Sequence, residues 1–248
     1  MNDIDFSILL PAFIAGLLVL LTHVPLGMKV LARGIIFADL AIAQIAGLGV
    51  VIAGLAGYGD HPMLVQLIAA ASALLGAGLL TLIERSLPAV REAGIGLLFV
   101  LAASGGILLM SHDTHAGEHL KDLLVGQILW VSNSQLVATA ILSVLIMGVW
   151  IWFRDKLGSF GFYALFALAV TASVQLVGVY LVFASLIVPA LATHRLTQKR
   201  IYFAYALGVL GYAAGLLFSV WLDLPTGAAI VWALALTGAI LMLLKRGK

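Results

Sequence analysis

The chain has 248 residues, of which 63% are hydrophobic and 10% charged, with a mean hydropathy of +1.18. A soluble domain carries about 25% charged residues, and surface-to-volume scaling leaves a domain of this size too little interior to hide so much apolar surface. The formal net charge of +2 comes from short Lys/Arg clusters between apolar runs, which fits orientation in a membrane and excludes a nucleic-acid reading; the absence of cysteine excludes disulfides and thiolate metal sites.

A spanning helix needs about 20 mostly apolar residues, so the chain has room for eight or nine passes. Apolar runs bounded by polar breaks fall near 6–27, 35–57, 63–83, 93–111, 134–153, 160–176, 178–193, 201–222 and 225–244. Helix is the expected state of each, because lipid cannot satisfy the polar backbone of an open chain. The predicted fold is therefore all-α: a polytopic integral membrane bundle in one transmembrane domain over residues 1–248, with the lipid bilayer as its solvent. The opening MNDIDFSILL lacks the basic region of a cleavable signal, so the first run is expected to stay as a span. The stretch from 160 to 193 is too long for one span and is split at Gly178, although a re-entrant pair would fit as well. HLKDLLVGQILWVS, 119–132, is short and broken, and reads as an interfacial or partly inserted helix.

Basic residues set the expected orientation. Lys29 and Arg33, Arg85 and Arg91, Arg154 and Lys156, Arg195 with Lys199 and Arg200, and the KRGK tail belong in the cytoplasm by the positive-inside rule. The connections at 57–62, 111–119 and 222–225 carry almost no Lys or Arg. The two sets alternate, which predicts an external N-terminus and a cytoplasmic C-terminus. Gly211 and Gly215 form a GxxxG step and Ala53 with Gly57 a small-xxx-small variant, both of which let helix backbones approach in lipid.

Asp39, in GIIFADLAIAQIAGLGVVIAG, stands out among the polar residues. A carboxylate at mid-bilayer costs roughly 2.5–3.5 kcal/mol on insertion scales, so such residues mark transport pathways. A plainer alternative places Asp39 a turn inside its helix, stabilised by the helix dipole and by water. Gln44 lies five residues on, about 140° around a helix from Asp39, so the two do not share a face. Gln44, like Thr171, Ser173 and Gln175, reads more simply as an interhelical hydrogen-bonding residue than as a ligand. In the external loop, His112, Asp113, His115, Glu118 and His119 combine imidazole and carboxylate groups that suit zinc and similar ions. A solvated polar loop is the plainer reading of that segment, and His61 reads as a turn residue. No GxxxxGK[ST] sequence occurs, so the chain does not hydrolyse ATP through a P-loop, and no nucleophile–base pair suggests an enzyme.

Five segments, in order along nearly the whole chain, resemble the permease subunits of zinc and manganese ABC importers. They are VLARGIIFADLAIAQIAGLGV (30–50), REAGIGLLFVLAASGGILL (91–109), HLKDLLVGQILWVS (119–132), VTASVQLVGVYLVFASLIVPALATHRL (170–196) and WLDLPTGAAIVWALAL (221–236). The resemblance implies a bacterial-type plasma-membrane homodimer, a cytoplasmic ABC ATPase as a separate chain, and an extracytoplasmic metal-binding protein. It implies no bound cofactor, only zinc or manganese held transiently as cargo, with Asp39 on the translocation path. It also places the ATPase-coupling segment at Arg154, Asp155, Lys156, Leu157 and Gly158. Two features depart from the family pattern. Many members carry a histidine four residues after the aspartate, where this chain has Ala43, and the stretch between Trp152 and Phe162 looks short for a coupling region. The coupling contact is then either a compact helix there or shared with the loops at 84–92 and 194–200. A metal chelate on the same scaffold is the alternative cargo, and a membrane-embedded enzyme the alternative class.

Overall fold

The computed structural model describes residues 6–110, 124 and 126–244, and among them nine α-helices and no strand. They are α1 (Phe6–Arg33), α2 (Ala38–Ala53), α3 (Pro62–Ser86), α4 (Arg91–Leu109), α5 (Asn133–Phe153), α6 (Ser159–Val177), α7 (Val179–Ala192), α8 (Arg200–Leu222) and α9 (Thr226–Leu244). Eight are long and apolar enough to cross a membrane; α7, with 14 residues, is the exception. At about 1.5 Å per residue α7 reaches about 21 Å, short of the roughly 30 Å hydrocarbon core. The chain is thus an all-α, multi-pass membrane protein. Trp130, Trp152 and Trp221, exposed by 76%, 81% and 80%, stand near helix ends, where indole rings sit at the headgroup level of a bilayer.

Each predicted run is a helix, with ends shifted by a few residues. The largest difference is at α1, which runs on from the expected end at 27 to Arg33 and passes through Pro25. Proline at 25 has no N–H to give to the carbonyl of residue 21. The Tyr205 hydroxyl on α8 supplies that bond instead, donating to Leu21 O at 3.0 Å. The helix therefore continues across its proline because a neighbour satisfies the freed carbonyl, the usual remedy in a membrane.

The helices group into two compact units, the first made of residues 1–33, 124–147 and 173–248. Here α9 packs along α8 and α7, and α1 along α7 and α8. The GxxxG step performs as expected: Gly211 faces the Leu234 side chain and Gly215 the backbone of Ile230, so α8 and α9 meet closely where a Cβ would collide. Tyr212 is fully buried and shares a 2.8 Å hydrogen bond with Ser185 of α7. Since Ser185 Oγ donates to Leu181 O at 2.7 Å, the tyrosine hydroxyl is the donor in that pair. Gly178, at φ 81° and ψ 162°, forms the break between α6 and α7 that the sequence places there. Of the expected interfacial helix, Ile128–Trp130 is a single 3₁₀ turn following Gly126, while residues 119–123 and 125 lie outside the described residues.

The second unit contains residues 34–123 and 148–172. Within it α2 packs on α3 and α4. Ala69, Ala73, Gly76, Ala77 and Leu80 form the buried stripe of α3, at the helical spacing of a single face. Small side chains there admit Ile42 and Ile45 of α2 against Gly76. Trp150, Phe162, Tyr163 and Phe166 make an aromatic cluster at the turn from α5 to α6, with Phe162 and Phe166 stacked at 5.8 Å. The small-xxx-small variant is a correction. Ala53 is buried, but Gly57 (φ 84°) lies in a wide turn over Gly54–Tyr58, with nothing within 4 Å of the place a Cβ would take. It therefore serves the turn and not a helix contact.

Candidate functional site

Asp39 sits in the first turn of α2, and its side chain is 1% exposed. The segment before it bends at Gly34, whose φ of 65° lies in the left-handed region, and Ala38 N–H then closes a turn by donating to Ile35 O. The first turn of α4 braces this bend. Glu92 Oε1 accepts from Phe37 N–H at 3.0 Å, and Arg91 lies alongside Gly34. Phe37 has no side-chain acceptor for the first turn, and its own N–H is taken by a carboxylate 55 residues away, the part a capping-box glutamate plays from within a helix.

Neither carboxylate oxygen of Asp39 has a hydrogen-bond partner among the described residues. The dipole of α2 favours a negative charge in its first turn, as the plainer sequence reading holds. The second half of that reading, stabilisation by water, does not fit a side chain this deeply buried. A buried carboxylate with two bare oxygens is a strong acceptor for a cation and for little else in the bundle. Ala43, one turn on, is also buried and belongs to the same face.

Gln44 is half-buried, off the stripe of α2 that buries Asp39, and makes no interhelical hydrogen bond among the described residues. Gln175 is exposed, and Thr171 is buried with its hydroxyl unpartnered, so neither forms an interhelical bond among the described residues. His61 is the turn residue expected, accepting at its carbonyl from Leu64 N–H and Val65 N–H at the start of α3. His112, Asp113, His115, Glu118 and His119 lie outside the described residues. Arg154, Asp155, Lys156 and Gly158 are exposed, and Leu157 half-exposed, in a tight turn closed by Lys156 N–H and Leu157 N–H on Phe153 O. The turn contains no helix of its own.

The sequence reading passes over His23. It is completely buried in α1, two residues before Pro25, and its Nε2 has no partner among the described residues. The signal is present: a histidine within an otherwise apolar run long enough to span the bilayer.

An ionisable residue buried inside a membrane span marks a candidate pathway for ions or substrates. The chain belongs to the ABC 3 transport family, whose model matches residues 5–162 and 156–245. It is 28% identical to a manganese transport system membrane protein, MntC, of Halalkalibacterium halodurans over 258 residues, covering 92% of this chain and 84% of that protein. A probable metal transport system membrane protein of Thermotoga maritima is 29% identical over 252 residues, with 92% and 86% covered. A probable iron transport system membrane protein of Haemophilus influenzae is 26% identical over 162 residues, and there the match spans 56% of this chain and 59% of the relative. The fold is that of PsaBC from Streptococcus pneumoniae, solved in complex with Fab, at a TM-score of 0.77 and 22% identity over 96% of this chain and 91% of that one.

Proposed function

We propose that the chain is the membrane-spanning subunit of an importer of a divalent transition-metal ion, zinc or manganese. A cytoplasmic ATPase chain powers it, an extracytoplasmic metal-binding protein loads it, and it works as a homodimer with its C-terminus in the cytoplasm. Membership of the ABC 3 transport family and the metals named for its relatives support this reading. The observation that carries it is the bare, buried carboxylate of Asp39.

A carboxylate at the start of a helix faces the favourable end of the local backbone dipoles, yet here it lacks the hydrogen bonds that would saturate it. A partly dehydrated divalent cation replaces lost water oxygens with such a group. ATP binding on the cytoplasmic side would shift the bundle between outward and inward states by binding one of them more tightly. The exposed Arg154–Gly158 turn is the segment assigned to that coupling, together with the loops at 84–92 and 194–200, because a turn of this size offers little surface alone.

The test is metal uptake by cells carrying the complete transporter. Asp39→Asn keeps the shape of the side chain and removes its charge, and uptake should fall to the level of cells lacking the chain while the protein remains inserted. Wild-type uptake in that variant would remove Asp39 from the path. Uptake of a chelate but not of the competing free ion would assign the scaffold to the other cargo.

A further inference from the structure

Among the described residues His23 is the fully buried histidine; His61 and His194 are both exposed. Its imidazole is anchored on one side only. Nδ1 lies 3.0 Å from Val19 O and 2.9 Å from Thr22 Oγ1, and the Thr22 hydroxyl donates to the same carbonyl at 3.2 Å. A carbonyl oxygen can only accept, so Nδ1 carries the ring proton. Nε2 therefore holds a lone pair. That atom is buried, and no donor among the described residues reaches it.

A structural core histidine would satisfy both nitrogens, since an acceptor left bare in an apolar bundle destabilises it. The hydroxyl donors on the neighbouring helix do not help. Tyr205 is committed to Leu21 O and Tyr212 to Ser185. A ring fixed through Nδ1–H on a backbone carbonyl, with Nε2 open, is the arrangement by which proteins present imidazole to a metal ion. Its depth suits a path: ten residues separate His23 from the end of α1 at Arg33, about 15 Å of helix, roughly half the hydrocarbon core.

We infer that His23 Nε2 is a ligand for the transported divalent cation as it passes the first unit, with Val19 O and Thr22 holding the ring in its binding tautomer. The inference rests on the import reading above and adds to it a nitrogen donor. Imidazole suits zinc, cobalt and similar borderline ions better than hard cations.

Two substitutions separate a ligand from a packing residue. In His23→Asn the amide nitrogen takes the place of Nδ1 and keeps a donor for Val19 O, but nothing replaces Nε2. In His23→Gln the longer amide reaches the place of Nε2 and loses the anchor. Co²⁺ binding to the purified full-length chain, followed by its visible absorption, and metal uptake by cells are measured for each. A ligand role predicts that His23→Asn weakens Co²⁺ binding at least about tenfold, on the scale of losses at metal sites, and that His23→Gln retains more of both activities. Unchanged binding and uptake in His23→Asn, with damage confined to His23→Gln, would overturn the assignment and leave a packing role. Should His23→Asn not accumulate in the membrane, His23→Cys decides, because the chain has no other cysteine. A Co²⁺–thiolate charge-transfer band then supports direct contact, and its absence from the folded variant refutes it. Failure of wild-type cells to accumulate any metal over cells lacking the chain would instead overturn the import reading, and with it the cargo assigned to His23.

Discussion

The bond that carries α1 across Pro25 can be weighed by a double-mutant cycle. Tyr205→Phe removes the hydroxyl that donates to Leu21 O at 3.0 Å and leaves the ring in place. Hydrogen bonds between membrane helices average about 0.6 kcal/mol and reach about 1.7. This one should lie in the upper part of that range, because Pro25 gives the Leu21 carbonyl no intrahelical donor to fall back on. We expect Tyr205→Phe to lower unfolding stability by about 1–1.5 kcal/mol, measured by denaturing-detergent titration with helical ellipticity as the signal. In a Pro25→Ala background the restored N–H of residue 25 can bond to Leu21 O. The same Tyr205→Phe change should then cost close to nothing, giving a coupling energy of about 1 kcal/mol. Equal costs in the two backgrounds would refute the idea that the tyrosine compensates the proline.

Three further outcomes follow from the packing. Gly178→Ala places a side chain at φ 81° and ψ 162°, a region open to glycine alone, and should cost about 1–3 kcal/mol; an unchanged unfolding midpoint would show that the break does not need that conformation. Gly215→Val should destabilise by about 1–3 kcal/mol or more by driving a branched side chain into the Ile230 backbone. Its control, Gly54→Ala, in ordinary helical geometry with open space around it, should be neutral or stabilising by about 0.5–1 kcal/mol, and a loss as large as that of Gly215→Val would contradict the packing described. Glu92→Ala removes the acceptor for Phe37 N–H and should cost about 0.5–2 kcal/mol; amide exchange at Phe37 should quicken, and unaltered exchange there would dismiss the brace.

Most of the helical layout can be read directly from the sequence, because lipid reduces the choice of secondary structure to one. The apolar runs, the break at Gly178 and the GxxxG contact all follow from local composition. Asp39 is visible for the same reason, as a charge inside a hydrophobic stretch. The bracing of its helix is not, since Glu92 and Phe37 stand 55 residues apart and only the fold brings them together. The end of α1 falls later than its composition suggests, because the helix carries on through the charged Lys29 to Arg33. Gly57 shows the converse error, where a spacing that signals close helix contact lies in a turn with nothing opposite. His23 is recognisable by type but not by role, because the information lies in which ring nitrogen is bonded and which is bare.

The shortness of α7 bears on how the protein is made. Nine of its residues are buried against neighbouring helices, so the protein interior and not lipid is its surroundings. A segment of 14 residues is too brief to be retained in the bilayer on its own hydrophobicity. Its partners lie on both sides of it in the chain: α1 comes long before it, whereas α8 and α9 follow. The lodging of α7 is therefore a late step of biogenesis, and a ribosome stalled before α9 should leave a nascent chain whose seventh helix is still accessible to probes that the finished protein excludes.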